Sequence, residues 1–208
     1  NHDPWPRHFS DENIKLLNNA RHIHCAGYLH FPYMYSPEMA ELFRAAKKRS
    51  QTTSLDPQFP LLPIQGSWMD PLRETLPNTD ILLVDETEAC QIAQENDLHK
   101  AGKKLLAAGA ATVAVKQGAQ GSLLFTNSSN YFQPALHVPE NEIVESIGAG
   151  DAFDTGLIYG FLKGWEWPLS LRFATAAAAS TLHGSGGTLS LAGADGLAAR
   201  PVARARHA

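Results

Sequence analysis

The residues Gly148-Ala149-Gly150-Asp151 have the types and spacing to do chemistry, and they stand between a strand-like segment and an apolar-periodic helix. Small residues there leave backbone N–H groups uncovered at a helix N-terminus, where the dipole and the unpaired donors favour an anion. Asp151, in the first turn of that helix, is then placed to accept a proton from an attacking hydroxyl. This is a phosphate cradle in outline. The same residues also read as a Gly-rich strand-to-helix turn with Asp151 as an ordinary first-turn acid, and local chemistry alone leaves both readings open.

Two other glycine signatures fail. The dinucleotide pattern G-x-G-x-x-G needs Gly at position 153, where Phe153 stands, and the motif lies late in the chain instead of opening the first βαβ unit. A Walker loop fails because Gly102-Lys103 is followed by Lys104, and Asp97 occupies the position of its first glycine.

Weaker signals read as structure. His22 and His24 share a strand face, but two ligands do not complete a metal site and no third is placed by spacing. His183 suits a helix C-terminus, where the dipole favours it. Trp165 and Trp167 read as packing residues. Asn127-Ser128-Ser129 fits a glycosylation acceptor, with nothing in the chain placing it in a secretory route.

The elements that position the Gly148 segment alternate. Ala20 to Leu29 reads as a strand ending at a glycine, followed by a helix that Ser36-Pro37 opens and Met39, Leu42, Phe43 and Ala46 stripe. Thr52 to Asp56 is a second strand, Trp68 to Leu76 a predicted helix, and Asp80 to Val84 a continuous apolar run suited to a strand covered on both faces. Helices follow at Glu86 to Gln94 and Leu98 to Ala108, the latter stopped by Gly109. Ala111 to Lys116 is another strand, and Gly121 to Phe125 with Asn130 to Phe132 predicts a hairpin. Helices at about Ala149 to Lys163 and Leu169 to Leu182 close a pattern that argues for a parallel sheet between helix layers.

Composition excludes several classes. The chain has 208 residues, 44% hydrophobic, enough for one sizeable core. Its formal net charge of −4 lacks a nucleic-acid footprint. Cys25 and Cys90, its two cysteines, are too few for a disulfide scaffold and fit a reducing, cytoplasmic compartment. No apolar run approaches the roughly 20 residues of a membrane span. Residues 197–208 read as a flexible tail whose Arg200, Arg204 and Arg206 are solvated.

Gly148-Ala149-Gly150-Asp151-Ala152-Phe153 resembles the C-terminal signature of the ribokinase-like, PfkB-type carbohydrate kinases. Other segments fall in that family's order. Asp80 to Glu88 resembles its strand ending in N-x-x-E, Lys116-Gln117-Gly118-Ala119-Gln120-Gly121 its T-x-G-x-x-G turn, and Leu55-Asp56-Pro57 its D-P-N strand end. Arg172 to Ala179, followed by Gly184-Ser185-Gly186-Gly187, resembles the helix and loop around its adenine and monovalent-cation sites.

The resemblance implies an α/β, three-layer fold with a mainly parallel central sheet, and transfer of the γ-phosphoryl of ATP to a hydroxymethyl group of a sugar or nucleoside-like substrate. By similarity, Asp151 is the catalytic base, and Gly148, Ala149 and Gly150 form the anion hole. Asp85, Lys116, Gly118, Gly121, Thr175 and Gly187 match nucleotide contacts. Glu88 matches the acid that holds Mg²⁺ through water. Glu145, Ile147 and Gly186 fall at the monovalent-cation (K⁺) site. The implied partners are small molecules, with neither nucleic acid nor membrane, and a homodimer is compatible with the longer protein.

Three departures stand beside these matches. Glu145-Ser146 replaces Asp-Thr, Asp85 replaces Asn, and the family's N-terminal portion, with its Gly-rich sugar-binding segment and lid, has no counterpart. Residues 1–196 are therefore expected to be a partial kinase domain, missing most of the sugar pocket. The competing expectation is a truncated, non-catalytic remnant that at most binds nucleotide.

Overall fold

The computed structural model describes residues 11–184. Six strands form a mainly parallel sheet in the order β1-β2-β3-β4-β5-β6. They are β1 (His22–Ala26), β2 (Thr52–Asp56), β3 (Ile81–Asp85), β4 (Thr112–Lys116), β5 (Ser122–Thr126) and β6 (Asn130–Gln133). The helices are α1 (Asp11–Asn18), α2 (Pro37–Lys48), α3 (Glu86–Ala93), α4 (Leu98–Ala107), α5 (Ala149–Leu162) and α6 (Trp167–Thr181). The chain divides into two compact units, one of residues up to 115 with 125–129, the other of residues 116–124 with those from 130 onward.

In the first unit β1 runs parallel to β2, His22 beside Thr52 and Cys25 beside Leu55, and β2 runs parallel to β3. The apolar run of β3 is fully buried from Ile81 to Val84, as a strand covered on both faces requires. The predicted stripe of α2 is the face that is buried: Met39, Leu42, Phe43 and Ala46. Asp97 caps α4 by accepting from the Lys100 N–H at 2.9 Å. Gly109 follows α4 at φ +121°, where a β-carbon would also stand 2.8 Å from Pro77 Cα. Only glycine fits there.

His22 and His24 are strand residues held by hydroxyls. His22 Nδ1 is 2.8 Å from Thr52 Oγ1 and its Nε2 2.8 Å from Ser54 Oγ, while His24 Nδ1 is 2.7 Å from Ser54 Oγ. Burial, reinforced by His24 and opposed by Asp80, lowers the His22 pKa to about 4. Among the described residues no group of three or more His, Cys, Asp or Glu side chains could hold a metal ion.

One expectation for this unit needs correction. The segment Trp68 to Leu76 is no α-helix; it holds short 3₁₀ turns at Asp70–Leu72 and Leu76–Asn78. Pro71 and Pro77 explain this, since each lacks an N–H donor and restricts the residue before it. Helix α1 precedes β1 in this unit.

In the second unit α5 and α6 pack with unusual intimacy. A β-carbon on Gly160 would lie 2.6 Å from Ser170 Oγ, and one on Gly156 would lie 2.7 Å from Ala174 Cα. Small residues four apart on both helices let the backbones meet. Trp167 stacks on Phe161 at 5.8 Å and Trp165 meets Tyr159 edge-on at 5.5 Å, so both tryptophans are packing residues. The loop before α5 is tied to the end of α6 by the Val144 N–H, which donates to the Leu182 carbonyl at 2.8 Å.

Candidate active site

The site is built around the N-terminus of α5 in the second unit. Gly148 precedes the helix at φ +81° and offers no side-chain cap; a residue with a β-carbon there is strained by about 1–2 kcal/mol. The Ala149 N–H donates to Ser146 O at 3.2 Å and the Ala152 N–H to Gly148 O at 2.9 Å, but those of Gly150 and Asp151 find no backbone acceptor among the described residues. These are the orphan donors of a helix start, at the positive end of its dipole. The Asp151 carboxylate-bearing residue is exposed on the first turn.

A second glycine turn follows β4. Gly118 (φ +55°) and Gly121 (φ +119°) bracket a short 3₁₀ turn closed by the Gln117 N–H donating to Gly121 O at 2.8 Å. A β-carbon on Gly121 would stand 2.2 Å from Gln133 O, whereas at Gly118 it would meet nothing within 4 Å. The first glycine is favoured by φ alone, the second by φ and packing.

A cavity of about 490 Å³ is lined by Lys116, Gly118, Ala149 and Gly150 together with apolar residues that include Leu136 and Leu182. Thr175 of α6 also lines it. Among the described residues its Oγ1 is buried without a hydrogen-bond partner, which costs free energy unless a ligand supplies one.

Lys116, at the end of β4, donates from Nζ to both carboxylate oxygens of Asp154, each at 3.1 Å. Asp154 is 2% exposed and sits on the inner face of α5, one turn beyond Asp151. The sequence reading missed Asp154; the available signal was an acid set among Ala152, Phe153, Gly156 and Leu157 on the buried face of an apolar helix.

The sequence-derived residues are thus gathered in part. Ala149, Gly150, Lys116, Gly118, Gly121 and Thr175 line one cavity, with Gly148 immediately before α5 and Asp151 on its first turn. Glu145 is half-buried, and Ile147 is 74% exposed beside them in sequence. Asp85 and Glu88 belong to the first unit, where they form a reciprocal cap on α3: the Glu88 N–H donates to Asp85 Oδ1 at 2.7 Å, and the Asp85 N–H donates to Glu88 Oε2 at 2.9 Å. His183 Nδ1 lies 3.8 Å from Glu142 Oε2. Gly186, Gly187 and the predicted tail over 197–208 lie outside the described residues.

The model of the pfkB family carbohydrate kinases matches residues 1–192. The chain belongs to this family. Within it, a cytidine kinase of Thermococcus kodakarensis is 32% identical over 127 residues, covering 61% of this chain and 45% of that protein. A ribokinase of Arabidopsis thaliana is 28% identical over 180 residues, covering 84% and 44%. This pfkB-family chain therefore spans less than half the length of these two relatives. Among solved structures, the Arabidopsis ribokinase complexed with ribose and ATP matches with a TM-score of 0.78 at 24% identity, covering 96% of this chain and 62% of that one. A putative ribokinase II of E. coli in complex with ATP and Mg²⁺ matches with a TM-score of 0.75 at 22% identity, covering 88% and 59%. These likenesses establish a ribokinase-like fold. No helix among the described residues is long and apolar enough to cross a membrane.

Proposed function

We propose that this chain carries the nucleotide-binding and phosphoryl-transfer part of an ATP-dependent kinase acting on a hydroxymethyl group of a sugar or nucleoside-like substrate. The carrying observation is one cavity that combines the unpaired N–H groups at the start of α5, the Lys116 ammonium and the unpartnered Thr175 hydroxyl beside an apolar wall. Donors and cation suit phosphates; the apolar wall with one orphan hydroxyl suits a flat base. The residues present therefore fit a nucleotide.

When bound, ATP supplies the phosphoryl group and Mg²⁺ offsets its charge. The chain's own residues do the rest. By family resemblance the Gly148–Gly150 turn is the anion hole; the Gly150 N–H, with that of Asp151, lacks a backbone acceptor among the described residues and donates to the charge that grows during transfer, and Lys116 adds a cation. Gly118 and Gly121 keep the facing turn free of side chains. Asp151 accepts the proton of the substrate hydroxyl. The family resemblance alone supports Glu88 as the water-mediated Mg²⁺ ligand, Asp85 as a nucleotide contact, and Glu145 and Ile147 at a K⁺ site; hard carboxylate oxygens are apt for Mg²⁺. A cytoplasmic location and the expected partial domain over 1–196 belong to the same proposal.

A second reading is a nucleotide binder without turnover. It is favoured by the α3 cap, which occupies one oxygen each of Asp85 and Glu88. Photolabelling with 8-azido-ATP tests the shared part of both readings: adducts are expected on peptides spanning 135–138 or 175–182, competed by ATP. Labelling confined to other segments overturns them.

A further inference from the structure

We propose that Asp154 is a positioning residue that holds Lys116 at the phosphate end of the cavity. The inference rests on the nucleotide reading above and goes beyond it by assigning a role to a buried acid. Lys116 Nζ stands 3.8 Å from where a β-carbon of Gly150 would be, so the ammonium lies beside the unpaired N–H groups of α5. For folding alone this is a poor place for a cation, because the N-terminal end of a helix is already positive. Asp154 offsets that charge. Its side chain is 3% exposed, that of Lys116 is 16% exposed, and both carboxylate oxygens accept from the one ammonium.

A buried carboxylate is costly without a partner, and removing one member of such a pair leaves the other charge stranded. Two contacts to one ammonium also restrict a side chain with four rotatable bonds, whose freedom an arriving anion would otherwise have to remove. Lys116 meanwhile remains at the cavity surface. The arrangement is a neutral pair that keeps a cation aimed at an anion site without leaving an uncompensated charge there.

The test compares equilibrium binding of adenosine and of ADP, neither of which needs phosphoryl transfer. Wild type should prefer ADP. Asp154→Asn and Lys116→Met should each cut that preference about tenfold, the scale of one hydrogen bond to a charged group. The double variant should be no worse than Lys116→Met alone, since the two residues act as one unit. An unchanged ADP preference in Asp154→Asn, or losses that add in the double variant, overturns the proposal. Asp154→Glu covers the case in which Asp154→Asn does not fold: it keeps the charge and displaces the ammonium. A reduced ADP preference in Asp154→Glu supports positioning; a wild-type preference means the acid serves folding only and overturns it. A wild-type chain that binds neither ligand removes the nucleotide reading and this inference with it, whereas failure of the variants alone removes only the inference.

Discussion

A β-carbon on Gly156 would lie 2.7 Å from the Cα of Ala174, so α5 and α6 touch backbone to backbone along the helix that starts at the candidate site. This contact fixes the direction of α5 and therefore of the N–H groups at Gly150 and Asp151. Gly156→Ala forces the helices apart. The cost of such overpacking, about 1–3 kcal/mol, exceeds the gain of about 0.5–1 kcal/mol from replacing a helical glycine. Urea denaturation should show a net loss of stability; an unchanged midpoint contradicts the close contact.

Gly148 and Gly150 should separate fold from function. Gly148→Ala strains a residue at φ +81° and is expected to destabilise by about 1–2 kcal/mol. At Gly150 the nearest atom to a new β-carbon is Lys116 Nζ at 3.8 Å, an ordinary contact. Gly150→Ala should therefore melt like wild type yet bind ADP more weakly, because the methyl group stands where a phosphate approaches. Equal ADP binding by Gly150→Ala argues against an anion site there.

Asp151→Asn removes the proposed base without moving the helix. Phosphoryl transfer should fall by about 10²- to 10⁴-fold, while ADP binding stays near that of the wild type. Retained turnover removes Asp151 from the role of base.

The lowered pKa of His22, about 4, predicts an acid-side loss of stability. Between pH 4 and about 6.5 the unfolded chain binds a proton that the folded chain excludes, so stability rises with pH across that window and is complete above it. His22→Gln should flatten this slope when denaturation midpoints are compared at pH 5 and pH 7. A slope equal to that of wild type assigns the pH dependence to other groups.

Much of this was legible in the sequence for local reasons. Strand β2 falls on Thr52–Asp56 as expected, just before Pro57, and the buried face of α2 follows the stripe of Met39, Leu42, Phe43 and Ala46. The two glycine turns were legible because glycine reports backbone needs: Gly118, Gly121 and Gly148 all have positive φ. The helix predicted over Trp68 to Leu76 does not form because Pro71 and Pro77 limit the segment to 3₁₀ turns. Asp154 was illegible because its partner, Lys116, lies on another element 38 residues away. No local pattern announces a pairing of that range.

The most direct test is a calorimetric titration of the chain with ATP, with and without Mg²⁺. A single saturable site, strengthened by Mg²⁺ and weakened in Lys116→Met, is the result expected of a nucleotide cavity at the start of α5. Absence of saturable binding under both conditions contradicts that account.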